Sequence, residues 1–277
     1  QPIGNWQINT SSADMASGLK VPSMRSMFTY NSVFNQPLSE SIVTVGGKTY
    51  TAWDVSNIAN FRKMFSHNRS FNQDISNWNM SSSRNLSNMF SLAESFDQDL
   101  SSWNTMNVTN MASMFYGAHM TVDLSSSYQN HPTRGEYLAW DTRNVTSMGN
   151  MFRKTNPTDP NNIYPGYDGD ITNWDTSNVT SMVAMFSSTV FPTTNTASFN
   201  QDISTKPITI AAGTPLQRSY NAWDVSNVSV FGNTALTDRS ADDELGMFAQ
   251  NHHFNQPIGN WQINTGSGID VSLKSMF

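Results

Sequence analysis

Phe71-Asn72-Gln73-Asp74-Ile75-Ser76-Asn77-Trp78 leads on to Met89-Phe90, and six residues later Phe96-Asp97-Gln98-Asp99-Leu100-Ser101-Ser102-Trp103 opens the same order again, closing at Met114-Phe115. From Phe65 to Phe90 to Phe115 the step is 25 residues each time. Outward from these two units the order fills the chain. Eight tryptophans, Trp6, Trp53, Trp78, Trp103, Trp140, Trp174, Trp223 and Trp261, are each followed by one Met-Phe pair, ending at Phe28, Phe65, Phe90, Phe115, Phe152, Phe186, Phe248 and Phe277. A unit of this length cannot bury its apolar face alone, but stacked units can share one core.

Within a unit the apolar period changes once. Phe71, Gln73 and Ile75 share one side of an extended segment, which predicts a short strand. After the tryptophan, Val108, Met111, Met114 and Phe115 fall at helical spacing behind Ser, Thr and Asn residues suited to an N-cap, which predicts a helix of two turns or fewer, in part 3₁₀. The expected fold is an α/β solenoid of about eight rungs, a single repeat domain over residues 1–277, with a parallel β-sheet and one short helix per rung. The strand at Phe71 is expected to pair in parallel with that at Phe96, at about 4.8 Å. The eight tryptophans and Phe34, Phe71, Phe96, Phe199 and Phe254 form the expected structural ladder, with Trp78, Trp103 and Trp174 buried against the tryptophans above and below. Gln36, Gln73, Gln98, Gln201 and Gln256 fall on the same inward face and are expected to hydrogen-bond from rung to rung.

The string Phe-Asn-Gln-Asp-Ile-Ser-Asn-Trp, followed by Asp175-Thr176-Ser177-Asn178-Val179-Thr180-Ser181-Met182-Val183-Ala184-Met185-Phe186 and its copies, resembles the 25- to 26-residue repeat of surface proteins and lipoproteins of Listeria and mycoplasmas, related to the BspA-like class of leucine-rich repeats. The resemblance covers nearly the whole chain, although Met120 and Tyr167 replace the leading Phe and Ser83 replaces the Val. It implies a leucine-rich-repeat-like curved shape, an extracellular or cell-surface location, and a role in adhesion or matrix. No catalytic residue belongs to that motif.

Insertions break the period at about 39–52, 125–138 and 204–222. In the first, Ile42-Val43-Thr44-Val45 and Lys48-Thr49-Tyr50-Thr51 flank Gly46-Gly47, a strong hairpin signal. Val45, Gly46, Gly47 and Lys48 are the candidate lateral contact. In the third, Ile208-Thr209-Ile210 and Arg218-Ser219-Tyr220 predict a looser hairpin at the equivalent corner, whereas the second is polar and has no clear period. The loops Asn156 to Gly166 and Pro192 to Ser198, rich in Pro, Asn and Thr, are expected on the opposite, helix-to-strand side.

Composition narrows the functions. Charged residues are 13 % of the 277 and the formal net charge is -6, so no basic field draws a phosphate backbone, and nucleic acid is not an expected partner. No apolar run reaches the roughly 18 residues of a membrane span. The chain has no cysteine, which removes disulfides and thiolate chemistry. No HExxH, Gly-rich phosphate loop or Gly-x-Ser-x-Gly occurs. The acidic stretches Tyr167-Asp168-Gly169-Asp170 and Asp242-Asp243-Glu244 lack the ligand spacing of a calcium loop, and His252-His253 lacks a metal-ligand partner at a usual spacing. The sequons at Asn107, Asn144 and Asn178 are by-products of the repeat. The expectation is a protein that is not an enzyme, with no catalytic residue, cofactor or metal.

The ends carry the functional expectation. Gln1-Pro2-Ile3-Gly4-Asn5-Trp6-Gln7-Ile8-Asn9-Thr10 recurs unchanged as Gln256 to Thr265, so a seven-rung period lies above the short one. The chain enters mid-motif and stops at Met276-Phe277, where the next strand is due. The expected partner is self, as head-to-tail copies or the continuation of a longer polypeptide, in a structural filament or surface layer. The alternative is an adhesin that grips a host protein or glycan through its solenoid face or insertion loops.

Overall fold

The structure is a computed structural model that describes residues 3–8, 22–155, 166–188, 199–232, 246–251, 253–263 and 276. Phe277, His252, the Asp242-Asp243-Glu244 stretch and nearly all of the two Pro/Asn/Thr-rich loops lie outside the described residues. Units are numbered here by their tryptophans, unit 1 holding Trp6 and unit 8 Trp261.

The α/β reading is wrong. Among the described residues there is no helix and no parallel sheet. The strands are β1 (Ser41–Val45), β2 (Lys48–Ala52), β3 (Ser127–His131), β4 (Gly135–Ala139), β5 (Lys206–Ile210) and β6 (Arg218–Ala222), paired only as three antiparallel hairpins. A leucine-rich-repeat-like solenoid with a strand and a helix in every rung is therefore excluded. The second insertion, which shows no period in the sequence, is as regular a hairpin as the other two.

The helical spacing has another cause. Main-chain N–H groups of Phe61, Lys63, Phe65 and His67 donate to the carbonyls of Asn85, Ser87, Met89 and Ser91 in the next unit, at 2.9, 3.0, 2.9 and 2.7 Å. The residues between them close turns on their own segment: Met64 N–H reaches Phe61 O at 3.0 Å and Ser66 N–H reaches Lys63 O at 3.2 Å. Consecutive i to i+3 turns bring side chains back to one face every three or four residues, as a helix does. An α-helix, however, spends each N–H on the carbonyl four residues earlier, and here every second N–H leaves the unit. Such winding needs left-handed residues. Ser26, Lys63, Asn88, Ser113, Asn150 and Ala184, each two positions before the Phe of Met-Phe, have φ between 52° and 59°. None is glycine, so each costs about 1–2 kcal/mol locally, a cost offset by the bonds between units.

The predicted strand fails for a related reason. Asp97 N–H donates to Asn72 Oδ1 at 3.1 Å, and Asn72 N–H to Asn35 Oδ1 at 2.9 Å. A side-chain oxygen stands between the two main chains, so Phe71–Trp78 and its successor form no ladder. Among the described residues parallel contact is limited to single bridges elsewhere in the unit, running Ser23, Asn60, Asn85, Asn110, Ser147, Ser181, Val230, with one more between Lys154 and Ser188. The glutamines are half-buried and not inward. Gln73 and Gln98 donate to the Asn Oδ1 of the preceding unit, at 3.0 and 2.8 Å, and not to another glutamine.

One apolar core runs through the stack. The Met-Phe phenylalanines form a column, Phe28, Phe65, Phe90, Phe115, Phe152, Phe186, Phe248, with neighbouring centroids 5.6–5.9 Å apart and planes within 15°. Each leading aromatic stacks on the Met-Phe ring before it: Phe34 on Phe28 at 4.1 Å, Phe71 on Phe65 at 3.9 Å, Phe96 on Phe90 at 4.0 Å. Tyr167 keeps this place against Phe152 at 4.0 Å, and Met120 is buried. Both replacements of the leading Phe thus leave the core filled.

Asn68 breaks the pattern energetically. Its side chain is fully buried, and neither carboxamide atom has a partner. The next two units place Ala93 and Ala118 at this position. A buried unpaired polar group costs about 1–3 kcal/mol, so Asn68→Ala is expected to raise the denaturation midpoint; a lowered midpoint would show that the carboxamide is satisfied in solution. His67 gives a pH test. Burial, then the charges of Arg69 and Lys63, hold its pKa below 6.5. A depressed folded-state pKa means that its contribution is complete above 6.5 and lost as pH falls through the lower folded value. Acidification should therefore destabilise the protein in that window, and His67→Leu, the residue of the next unit at Leu92, should flatten that part of the pH profile.

Candidate interaction surfaces

The tryptophans make a second type of joint between units. Seven of the eight indoles donate Nε1–H to an Ile or Leu carbonyl of the unit before: Trp53 to Ile3, Trp78 to Leu38, Trp103 to Ile75, Trp140 to Leu100, Trp174 to Leu124, Trp223 to Ile171 and Trp261 to Ile203, at 2.7–3.1 Å. Trp6, Trp53 and Trp78 stack in order, as do Trp140, Trp174 and Trp223, with centroids 6.0–6.4 Å apart. Trp103, fully buried, packs at 6.2 Å against Phe90, tilted by 39°. Trp261 is nearly buried, and Trp6 is 47 % exposed. Phe34, Phe71, Phe96 and Phe199 lie in the core; Phe254 is only partly covered, against Phe248 and Phe199.

Beside the tryptophan, an asparagine clamps main chain across the joint. Asn77 Oδ1 accepts from Glu40 N–H at 3.1 Å while its Nδ2 donates to Glu40 O at 2.8 Å. Asn173 does the same with Ser126, and Asn260 with Thr205. The sequon asparagines work similarly: the Nδ2 atoms of Asn107, Asn144 and Asn178 donate to Ser81, Met106 and Arg143 carbonyls of the preceding unit.

The hairpins stand on units 2, 5 and 7 and lean back over the unit before. Gly46 and Gly47, with φ of 58° and 78°, give β1–β2 the two-residue turn whose twist suits paired strands. Val45, Gly46, Gly47 and Lys48 are exposed at its tip, and Ile42 is 79 % exposed. The anchor is a tyrosine three residues before the tryptophan. Tyr50 Oη donates to Asn5 O at 2.6 Å and Tyr137 Oη to Ser102 O at 2.8 Å, and Tyr220 Oη donates to Asn173 O. In each case the acceptor immediately precedes the tryptophan of the unit before. Tyr50-Thr51-Ala52-Trp53, Tyr137-Leu138-Ala139-Trp140 and Tyr220-Asn221-Ala222-Trp223 share a Tyr-x-Ala-Trp signature that the repeat-based reading overlooks. These tryptophans, and no others among the described residues, have positive φ, of 46–53°. Their N–H is freed from the local turn that Trp78 and Trp103 close, and donates instead to the tryptophan carbonyl of the preceding unit.

Ion pairs hold the second and third hairpins further back. Arg218 of β6 reaches Asp175 Oδ2 at 2.8 Å and Asp141 Oδ1 at 3.4 Å, its guanidinium lying 5.0 Å from the Tyr220 ring centroid. Both carboxylates are buried, and Arg143 adds bonds to Asp141, which raise the arginine's own pKa. Burial pushes the Tyr220 phenol well up, aided by Asp175. Arg134, in the loop before β4, donates to Glu40 Oε2 at 3.3 Å and to the carbonyls of Asn77 and Trp78. Burial raises the pKa of Glu40, against the pull of Arg134. Beneath this hairpin lies a cavity of about 170 Å³ bordered by Trp78, Asn79, Asn104, Thr133, Arg134 and Tyr137.

The acidic stretch Asp168–Asp170 serves the stack. Asp168 Oδ1 accepts from Asn200 N–H at 2.8 Å, and Asp170 Oδ1 from Thr172 N–H at 2.8 Å. The main-chain N–H of His253 donates to Asn251 Oδ1 at 3.2 Å, in a local turn capped by the asparagine. Among the described residues no three of His, Asp and Glu converge as a metal site, and no helix is long and apolar enough to cross a membrane.

Residues 40–134, 122–235 and 212–277 each match the family described as Mycoplasma protein of unknown function, DUF285. The chain belongs to that family. The resemblance read from the repeat therefore holds at the level of a mycoplasma repeat family, and not at the finer level of leucine-rich repeats, whose strand-and-helix unit does not occur among the described residues. No curated protein and no solved structure matches the chain.

Removing one hydroxyl anchor should loosen its hairpin without unfolding the stack. Tyr137→Phe and Tyr220→Phe are each expected to cost about 0.5–1.5 kcal/mol, with faster amide exchange confined to β3–β4 or β5–β6. An exchange pattern unchanged in the mutated hairpin would show that the tyrosine is no anchor.

Proposed function

We propose that the protein is a structural, non-enzymatic repeat protein of an extracellular filament or surface layer, built by end-to-end stacking of its units as one continuous repeat domain. The observation that carries this reading is the nature of the joint. The bonds of Phe28, Phe65, Phe90, Phe115, Phe152 and Phe186 N–H to the Met carbonyl of the next unit, at 2.8–3.0 Å, involve main chain, so they depend little on which unit follows which. A joint that recurs with unlike units extends to further units by the same chemistry, and heterologous contacts of this kind do not close. Membership of a mycoplasma repeat family supports a surface location.

A second reading is attachment to a host protein or glycan. The polar cavity beneath β3–β4, bordered by a tyrosine, an arginine and two asparagines, favours it, as does the exposed tip of β1–β2. Electron microscopy of native material separates the two: continuous fibres or a lattice with the repeat of the stack are expected, and isolated short rods that bind a glycan array would favour attachment.

A further inference from the structure

The three hairpins occupy equivalent places, yet β3–β4 is built differently beneath. β5–β6 leans over units 6 and 5: Tyr220 Oη donates to Asn173 O, and Arg218, five residues before Trp223, reaches Asp175 and Asp141, the residues that follow Trp174 and Trp140. β3–β4 leans over units 4 and 3 in the same manner, with Tyr137 Oη on Ser102 O and Arg134 on the carbonyls of Asn77 and Trp78. Here the residues after the tryptophans are Asn104 and Asn79, whereas units 2, 5, 6 and 7 carry Asp54, Asp141, Asp175 and Asp224. The place of Arg218, five residues before tryptophan, falls to Gly135, on the strand face of Tyr137. A Cβ at that position would meet no heavy atom within 4 Å beyond its chain neighbours. The guanidinium and both carboxylates that pack under β5–β6 thus give way under β3–β4 to a hydrogen and two carboxamides. A cavity of about 170 Å³, bordered by Asn79, Ser81, Asn104, Arg134 and Tyr137, lies there.

Resting on the attachment reading above, we propose that this cavity is a binding site for a single neutral pyranose residue. Its uncommitted groups set the chemistry. Asn79 Oδ1 and Asn104 Oδ1 accept from Ser81 N–H and Met106 N–H, both at 3.2 Å, which leaves each Nδ2 and the Ser81 hydroxyl without a partner among the described residues. All three residues border the cavity and are half-buried, so a ligand reaches them from solvent. Among the described residues no carboxylate borders the cavity, and the Arg134 charge is matched by Glu40 at 3.3 Å, so neither a cation nor an anion is favoured. Donors without matching acceptors suit the hydroxyl and ring oxygens of a sugar, and the Tyr137 ring gives an apolar surface on which its C–H face packs. At about 30 Å³ per water, 170 Å³ holds roughly five or six waters, the room of one sugar ring and not of an oligosaccharide.

Saturation-transfer NMR of the 277-residue chain with free neutral hexoses, beside binding to an array of glycans that end in them, tests the assignment with two variants. The double variant Asn79→Asp, Asn104→Asp keeps both oxygen acceptors and introduces the residue that units 2, 5, 6 and 7 carry, but turns both donors into acceptors. Ser81→Ala removes the hydroxyl. Unchanged near-UV circular dichroism confirms that both fold. The wild type is expected to bind a hexose, the double variant to bind it about tenfold or more weakly, and Ser81→Ala to bind it several-fold more weakly. Transfer to a free hexose identifies a soluble sugar as the ligand, and array binding without it a terminal residue of a longer glycan. Sugar binding of equal strength in the wild type and both variants overturns this site while leaving glycan attachment intact. No binding in either format overturns the sugar assignment, and leaves the attachment reading only a protein partner.

Discussion

Every second main-chain N–H in the Met-Phe segment must find its acceptor in the next unit, and the rest of the molecule follows from that. It prevents a helix, because the helix would claim the same donors. It requires left-handed residues at fixed places, and it sets Phe65 over Phe90 and Phe90 over Phe115 at 5.6 and 5.7 Å, a spacing at which flat rings stack offset. Phenylalanine and tryptophan fill such columns where aliphatic side chains leave gaps, and the seven indole bonds tie each of these tryptophans to an Ile or Leu carbonyl of the unit before.

Polar residues finish what the aromatics begin. A chain with only 13 % charged residues is suited to a protein whose Asn, Asp, Ser and Thr side chains hydrogen-bond across joints. Buried Thr105, Thr142 and Thr176 hydroxyls donate to Asp141, Asp175 and Asp224 carbonyls of the next unit at 3.1, 3.0 and 2.7 Å. The hairpins extend the same logic outward, each tied by a tyrosine to the unit before and two of them by arginine to buried or half-buried carboxylates. An insertion thus braces the joint beneath it.

The sequence exposes the repeat, its boundaries and the inward aromatics, because these depend on which residue types recur. It misleads on local conformation, because Val108, Met111, Met114 and Phe115 have the same spacing in serial turns as in a helix. The difference lies in where the N–H of Phe115 goes, which is to Met151 O, 36 residues away. The strand reading fails because Asn72 and Asn35 intercept the main chain with their side chains. The hairpin of β1–β2 is legible from Gly46-Gly47; β3–β4 is hidden by a polar β3, Ser-Tyr-Gln-Asn-His, with no alternation. Comparing the three inserts at Tyr-x-Ala-Trp would have aligned all three hairpins and pointed to their anchors.

The bond from Phe65 N–H to Met89 O, 2.9 Å long, represents the joint on which the whole account depends. Through-hydrogen-bond scalar coupling in an isotope-labelled sample observes such a bond directly. The account predicts a correlation from Phe65 nitrogen to the Met89 carbonyl carbon, with matching correlations from Phe90 to Met114 and Phe115 to Met151. A correlation from Phe65 nitrogen to the Phe61 carbonyl carbon instead, the mark of an α-helix, would contradict it.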